Sequence, residues 1–170
     1  MRVVHTPAEL ESRPRAVAVG SFDGVHRGHR SVIDAVRGTG LEPTVITFDP
    51  HPRIALGNKV ELLTTLERRL ELLDDADVET VLVASFDPEL QRLTPEAFAE
   101  RFLRAIGVEY VVAGENFRFG VRRSGDLGTL LALGFEVVTP REIEGVSSTA
   151  IRAALAEGDV VGAASMLGRP

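Results

Sequence analysis

The sequence predicts an α/β protein with a five-stranded parallel sheet and helices on both faces. Short runs rich in β-branched and apolar residues alternate with longer amphipathic segments along the whole chain. Each short run is almost continuously apolar, as expected for a strand that is buried on both faces. Together these two observations predict a Rossmann-like arrangement of strands and helices.

Five segments carry the strand pattern. They are residues 16–22, 44–48, 80–86, 110–114 and 135–139. Ligands of such sheets bind at the carboxyl ends of the strands, where the following helices begin. The segments that follow the predicted strands are therefore expected to carry the functional residues.

Helix signals lie between the strands. Thr64 and Glu67 have the spacing of a capping box ahead of "RRLELL". Thr94 is a candidate N-cap and is followed by a proline and an acid, both favoured in a first turn. Gly107 is expected to end that helix.

Two short helices are predicted at the C-terminus. Their sequences are "STAIRAALAEG" and "DVVGAASMLG". Gly158 is expected to end the first helix, and Asp159 is expected to cap the second.

Length and composition predict one domain over residues 1–170, because 170 residues with 44% hydrophobic character suffice for one core and are few for two. Acidic residues outnumber basic ones by 25 to 19, and this net charge of -6 disfavours a protein that coats nucleic acid or anionic membranes. With no cysteine, disulfides and thiolate zinc sites are excluded. No apolar run approaches the roughly 20 residues of a membrane span. We therefore expect a cytoplasmic protein with neither a nucleic-acid nor a membrane partner.

The segment "VGSFDGVHRGHRSVIDAV" places two histidines at the end of the first predicted strand. Gly24 and Gly28 allow the backbone to approach a ligand closely, and the following helix offers free N–H groups to an anion. His26 and His29 are about one helical turn apart, so that both imidazoles would face that anion. Phosphate binding is one interpretation, and capping or surface histidines are the other.

The segment "SSTAIR" gives a second phosphate-type signal near the other end of the chain. Ser147, Ser148 and Thr149 offer hydroxyls at a helix start, and Arg152 follows one turn later. Plain N-capping by either serine is the alternative. The chain contains no Walker loop and no GxGxxG after the first strand, which disfavours P-loop hydrolysis and dinucleotide redox chemistry.

Five motifs in this order resemble a known family. They are Gly-x-Phe-Asp-Gly-Val-His-x-Gly-His, "TFDPHPR", "LLTT", "GENFRFG" and "SSTAIR". The chain is similar over its whole length to the FMN adenylyltransferase (FAD synthetase) module of bacterial bifunctional riboflavin kinase/FMN adenylyltransferases. These enzymes belong to the nucleotidylyltransferases that share the His-x-Gly-His motif. The resemblance implies that AMP passes from ATP to the 5′-phosphate of FMN, giving FAD and pyrophosphate with Mg²⁺ as cofactor.

The resemblance also implies site residues. His26, His29 and Arg152 would carry catalysis. The implied ATP-binding residues are Gly20, Phe22, Gly24, His26, His29, Gly114, Asn116, Ser147, Ser148, Thr149 and Arg152. Mg²⁺ would be bound mainly through the ATP phosphates, with Asn116 as a weaker candidate ligand, because other family members carry aspartate there.

The motif "TFDPHPR" is implied to form the FMN side, through Phe48, Asp49, Pro50, His51 and Pro52. Two prolines make a rigid edge on which a flat ring could lie. On these residues alone, a proline-rich turn after a strand is the competing interpretation. The chain also carries arginines in "TTLERRLELL" where the family often has lysine.

The resemblance does not extend to a riboflavin kinase domain, because this chain stops at "MLGRP" where the bifunctional proteins continue. We therefore expect FMN to be supplied by a riboflavin kinase domain or protein elsewhere. Two alternative functions remain at this point. One is an adenylyltransferase with another phosphorylated acceptor, and the other is a catalytically silent flavin-nucleotide binder.

Overall fold

A parallel sheet of six strands forms the centre of the protein, which a computed structural model describes over residues 1–170. The strands are β1 (Arg2–Val4), β2 (Arg15–Val19), β3 (Glu42–Asp49), β4 (Thr80–Ser85), β5 (Val108–Val112) and β6 (Glu136–Val138). Their order across the sheet is β1-β4-β3-β2-β5-β6, and all five pairings are parallel. The predicted α/β class and parallel sheet are confirmed.

The predicted strand count is wrong by one. β1 has only three residues and lies at the edge of the sheet beside β4. Its sequence is Arg-Val-Val, which is too short to show the apolar run that predicted the other five strands. Backbone pairing with β4 completes it as a strand.

Eight α-helices accompany the sheet. They are α1 (Arg27–Gly38), α2 (Pro52–Ala55), α3 (Leu66–Asp74), α4 (Pro88–Gln91), α5 (Pro95–Phe98), α6 (Leu127–Ala132), α7 (Ser148–Ala156) and α8 (Val160–Leu167). A π-helical turn continues α5 over Ala99–Leu103, and 3-10 turns cover Pro7–Glu9, Arg104–Ile106 and Val121–Arg123. None of the helices is long and apolar enough to cross a bilayer.

The helix-end predictions are confirmed with one exception. Thr94 caps α5, Asp159 caps α8, and Gly107 ends its helical segment in a left-handed conformation. Thr64 does not cap α3. Its neighbour Thr65 does, because the Thr64 hydroxyl donates a hydrogen bond to the carboxylate of Asp23.

Two apolar clusters pack on opposite faces of the sheet. On one face, α1 and α3 bury Ile33, Val36, Leu72 and Leu73 against alternate residues of the central strands. The helical segment over residues 95–106 and α6 pack on the other face. Helices therefore cover both faces, as predicted, and hold the carboxyl ends of the strands in fixed positions.

Candidate active site

The carboxyl ends of β2 and β5 meet where the strand order reverses. β3 and β4 lie on one side of β2, whereas β5 and β6 lie on its other side. Ligands of open α/β sheets bind in the crevice at such a point. The segment after β2 carries His26 and His29, and the segment after β5 carries Gly114 and Asn116.

His26 and His29 form a stacked pair at the N-terminus of α1. His26 is the N-cap, and its Nδ1 accepts a hydrogen bond from the backbone N–H of His29 at 3.3 Å. The two rings are 3.6 Å apart between centroids, with an angle of 16° between their planes. Gly28 leaves room for this arrangement, because a Cβ there would lie 3.1 Å from the His26 ring. The two predicted imidazoles are therefore adjacent.

Both imidazoles are uncharged at neutral pH. Burial lowers the pKa of His26 to about 4, although the negative charge of Asp23 acts in the opposite direction. Burial also lowers the pKa of His29 well below its usual value, with further contributions from His26 and Arg69. Since Nδ1 of His26 accepts a hydrogen bond, the proton of the neutral ring is on Nε2. His26 thus offers an N–H donor rather than a positive charge, and Nδ1 of His29 is buried without a partner.

A fully buried carboxylate, Asp23, joins the loop after β2 to two distant segments. It accepts hydrogen bonds from the backbone N–H groups of Leu63 at 2.9 Å and Thr64 at 3.1 Å, and from the Thr64 hydroxyl at 3.3 Å. Arg152 forms an ion pair with it. The Ser148 hydroxyl donates to the Asp23 carbonyl oxygen at 2.9 Å. Sequence analysis gave Asp23 no catalytic role, and its structural role was not visible because its partners are 40 to 129 positions away.

The residues at the start of α7 are partly engaged within the protein. Ser147 is the N-cap, and Ser148 is tied to the loop after β2. Thr149 is exposed and makes no hydrogen bond through its side chain. Arg152 donates from Nε to the Glu61 carbonyl oxygen at 2.7 Å in addition to its ion pair. Arg152 therefore already has protein partners at the place where a triphosphate was predicted.

Phe22 and the glycines around it shape the loop after β2. The Phe22 ring is buried and lies 5.0 Å from the His29 ring. Gly24 has a φ of 84°, and a Cβ there would lie 2.8 Å from the Leu63 side chain, so both its conformation and its surroundings require glycine. Gly20 lies at the end of β2 and lines the neighbouring cavity.

A cavity of about 670 Å³ adjoins the end of β2. Its aromatic lining consists of Phe48, Phe86, Phe98, Phe117 and Phe119. Of the five residues predicted to form the FMN side, Phe48, His51 and Pro52 line this cavity. Asp49 and Pro50 are exposed and do not line it. The volume and the aromatic walls suit a flat ring system of drug-like size.

Polar residues from several segments also line the cavity. Asn116, predicted for the ATP side, is exposed and lines the cavity. Gly114 is half-buried just before it and does not line the cavity. His51 caps α2, and its pKa is lowered by burial, with the opposing effect of Asp23. Sequence analysis did not foresee the arginines of the lining, which are Arg53, Arg92, Arg118, Arg122 and Arg123.

Arg69 on α3 was also missed. Its side chain is only 1% exposed, although arginine is rarely buried without an ion-pair partner. A sequence signal does exist, because Arg69 occupies the i+3 position of the helical stripe formed with Leu66, Leu70 and Leu73. The arginine lies within the apolar stripe, which places it on the buried face.

The described residues contain no ready-made metal cage. No group of three or more histidine or acidic side chains is arranged to hold an ion. Mg²⁺ keeps several waters and is often bound through substrate phosphates with few protein ligands, so this set fits an ion that arrives with ATP. The amide oxygen of Asn116 is an exposed candidate for a single contact.

Comparison with known proteins identifies the family. A family profile described as FAD synthetase matches residues 8–150. The chain belongs to the FAD synthetase family. Bifunctional riboflavin kinase/FMN adenylyltransferases from Listeria monocytogenes and Escherichia coli are 36% and 32% identical to it, over 92% and 100% of this chain. The family member described here spans 54% and 59% of those relatives' lengths.

A solved structure supports the same fold. The crystal structure described as a macrolide-efflux protein from Streptococcus pneumoniae superposes with a TM-score of 0.85 at 26% identity. The match covers 99% of this chain and 70% of that one. Family and fold thus agree with the resemblance found in the motifs.

Proposed function

We propose that this chain transfers AMP from ATP to the 5′-phosphate of FMN, giving FAD and pyrophosphate. The observation that carries the proposal is the composite site at one sheet edge. The helix N-terminus with its imidazole pair adjoins an aromatic-walled cavity, and both meet at the end of β2. The first part suits phosphates and the second suits a flavin ring.

The reaction needs no nucleophile from the protein. An oxygen of the FMN phosphate attacks the α-phosphorus of ATP, and the bond from that phosphorus to the β-phosphate oxygen breaks. The phosphomonoester carries a charge near -2 at neutral pH, with a second pKa of about 6, so no general base is required. The protein's task is to position two anions in line and to stabilise the charge that develops on the leaving pyrophosphate.

The described side chains divide that task. The free N–H groups of α1 and the Nε2–H of His26 would bind the ATP phosphates. Arg152 would exchange its contact with Asp23 for the triphosphate, or share its guanidinium between both. Mg²⁺, bound through those phosphates, would neutralise part of their charge.

We also propose that residues 1–170 form one adenylyltransferase domain. The named relatives are bifunctional, and this chain spans little more than half of their length. FMN would then come from a riboflavin kinase domain or protein. The cytoplasmic location and the lack of nucleic-acid and membrane partners stay predictions.

An acceptor comparison tests the proposed function. Purified protein is incubated with MgATP and, separately, FMN, riboflavin or nicotinamide mononucleotide, and pyrophosphate release is measured with chromatography of the products. We expect pyrophosphate and FAD with FMN alone. Pyrophosphate with nicotinamide mononucleotide but not FMN would indicate another acceptor, and flavin binding without any pyrophosphate would indicate a silent binder.

Two variants test whether that activity depends on the imidazole pair. His29→Ala removes one ring of the stacked pair, and we expect turnover to fall by about two orders of magnitude or more. His5→Ala is the matched control, because His5 is exposed and lies outside the cavity and the imidazole pair. Equal turnover in both variants would contradict a catalytic role of His29.

A further inference from the structure

Arg69 is a buried cation without a counter-ion. Its Nη1 donates to the Thr47 hydroxyl at 3.2 Å and to the Phe48 carbonyl oxygen at 3.1 Å, both neutral acceptors. Its Nε is buried with no hydrogen-bond partner. No carboxylate lies within ion-pair distance. Burial lowers the pKa of Arg69, and the negative charges of Asp23 and Asp49 are near enough to raise it against that effect. A guanidinium stays protonated in such surroundings, so its positive charge is unpaired.

The energetic cost of this arrangement needs an explanation. Burying an unpaired charge is strongly unfavourable, and buried arginines normally pair with an anion. The nearest buried carboxylate, Asp23, is engaged by Arg152 and by the Leu63–Thr64 segment. No anionic side chain of the described protein therefore neutralises Arg69 directly. An anionic ligand would.

The position of Arg69 lies between the two parts of the site. Phe48, whose carbonyl oxygen it binds, lines the aromatic cavity. Thr47, its other acceptor, donates to the Ser21 carbonyl oxygen at 3.1 Å in the segment after β2. Burial is the main cause of the lowered pKa values of His29 on the phosphate side and His51 at the cavity, and the charge of Arg69 adds to both. The guanidinium is therefore placed where the two substrates must meet.

We infer that the Arg69 guanidinium is the positive charge that holds the phosphate of the flavin mononucleotide acceptor beside the ATP α-phosphate. This inference rests on the proposed function. The ATP phosphates already have the N-terminus of α1, His26 and Arg152. The acceptor phosphate would lie at the junction, and none of these three groups is assigned to it; the arginines that line the cavity are placed beside the flavin ring. A buried charge is screened little by salt, so Arg69 acts strongly on an anion at the strand ends.

FMN and riboflavin share the ring and the ribityl chain and differ by the phosphate. Arg69 should therefore contribute to FMN binding and not to riboflavin binding. ATP binding should be affected little, because the triphosphate is held by other groups.

The test compares the affinities of FMN and riboflavin by quenching of flavin fluorescence in wild type, Arg69→Met and Arg69→Lys. Methionine keeps much of the length and removes the charge, whereas lysine keeps the charge. We expect Arg69→Met to weaken FMN binding about tenfold or more, since a buried charge that solvent screens little has this effect on a nearby anion, with riboflavin binding changed by less than about twofold. Arg69→Lys should retain most of the preference for FMN.

A matched control separates this charge from net charge in general. Arg68→Met removes the neighbouring arginine of the same helix, which is exposed and paired with Glu71 at 2.6 Å. We expect its FMN and riboflavin affinities to equal those of wild type. A folded Arg69→Met protein with an unchanged preference for FMN would overturn the inference. If this variant does not fold, Arg69→Gln replaces it, because glutamine keeps an N–H donor for Thr47 and Phe48 without the charge; loss of the preference for FMN would support the inference, and an unchanged preference would overturn it.

The binding contrast also separates this inference from the proposed function. It is read without turnover, so a wild-type protein that prefers FMN yet makes no FAD would contradict the proposed function and leave Arg69 testable. A wild-type protein that makes FAD, with Arg69→Met unchanged in its preference, would contradict the inference alone.

Discussion

Asp23 and Arg152 are the residues on which the geometry of the phosphate side depends. The Asp23 side chain is 0% exposed and that of Arg152 is 19% exposed, so their ion pair is largely removed from solvent. The pair links the loop after β2 to α7 and to the Leu63–Thr64 segment. Arg152 therefore has a structural role in addition to the role proposed in phosphate binding.

This double role predicts a stability effect of Arg152→Ala. Removing the guanidinium leaves a buried carboxylate without its counter-ion, which we expect to lower the free energy of unfolding by about 2–3 kcal/mol. The combined Asp23→Asn/Arg152→Ala variant should recover about half of that loss, because the uncompensated charge is gone. Denaturant unfolding measures both. A change of less than about 0.5 kcal/mol in Arg152→Ala, typical of a surface position, would contradict the structural role.

The neutral His26 imidazole predicts a pH effect on stability. The pKa of His26 is about 4 in the folded protein against 6.5 in the unfolded chain. Between these values the unfolded state binds more protons, so the free energy of unfolding falls as the pH falls, by up to about 1.4 kcal/mol per pH unit for this group.

The variant His26→Asn isolates the contribution of that imidazole. Asparagine keeps an N-cap acceptor for the first turn of α1 and does not titrate. We expect its unfolding free energy to fall less steeply than that of wild type over this pH range, as measured by urea unfolding at several pH values. Parallel curves for the two proteins would show that His26 is not held neutral.

Sequence reasoning identified some of these residues and missed others for a physical reason. The two histidines were predicted to be neighbours because they are local, one helical turn apart. The bonds of Asp23 join positions 40 and 129 residues apart, and no local pattern encodes them. Arg69 was missed because the sequence analysis assigned no role to the arginines of "TTLERRLELL", although the place of Arg69 in an apolar helical stripe was present in the sequence.

At the scale of elements, Gly107 fixes the connection between the helical segment that follows β4 and the strand β5. It ends the helical turn with a φ of 81°, and a Cβ there would lie 2.4 Å from the Arg13 carbonyl oxygen. Backbone cannot move away as a flexible side chain can. Glycine is therefore required both by conformation and by space.

Gly107→Ala is expected to lower the free energy of unfolding by more than about 3 kcal/mol, the range of severe steric and backbone effects. Gly134→Ala is the matched control, since Gly134 also has a positive φ of 90° but faces open space. It should cost only the backbone term of about 1–2 kcal/mol. Thermal or denaturant unfolding compares the two, and equal losses would show that contact with Arg13 is unimportant.

Elements with strong local signals were predicted well. Five strands follow from their apolar runs, and the caps at Thr94 and Asp159 follow from local hydrogen bonding. The cap of α3 was assigned one residue too early, because Thr64 and Thr65 have the same chemistry and only the contact of Thr64 with Asp23 separates them. β1 depends on pairing with β4 and has no pattern of its own.

At the scale of the whole molecule, the reversal of strand order brings the motifs together. "TFDPHPR" spans the end of β3, "GENFRFG" follows β5 and the imidazole pair follows β2, and these three strands are neighbours in the sheet. The parallel sheet could be predicted, and with it a shared edge. The strand order and the cavity could not, because both arise from packing between distant segments.

The central claim is that this chain transfers the adenylyl group, and the fate of labelled ATP phosphate tests it most directly. Protein is incubated with Mg²⁺, FMN and ATP labelled at either the α- or the γ-phosphate, and the products are separated by chromatography. We predict that the α-label appears in FAD and the γ-label in pyrophosphate, in equal amounts, with no label transferred to riboflavin when it replaces FMN. Label from the γ-phosphate in a flavin product, or no labelled FAD from folded protein, would contradict the account.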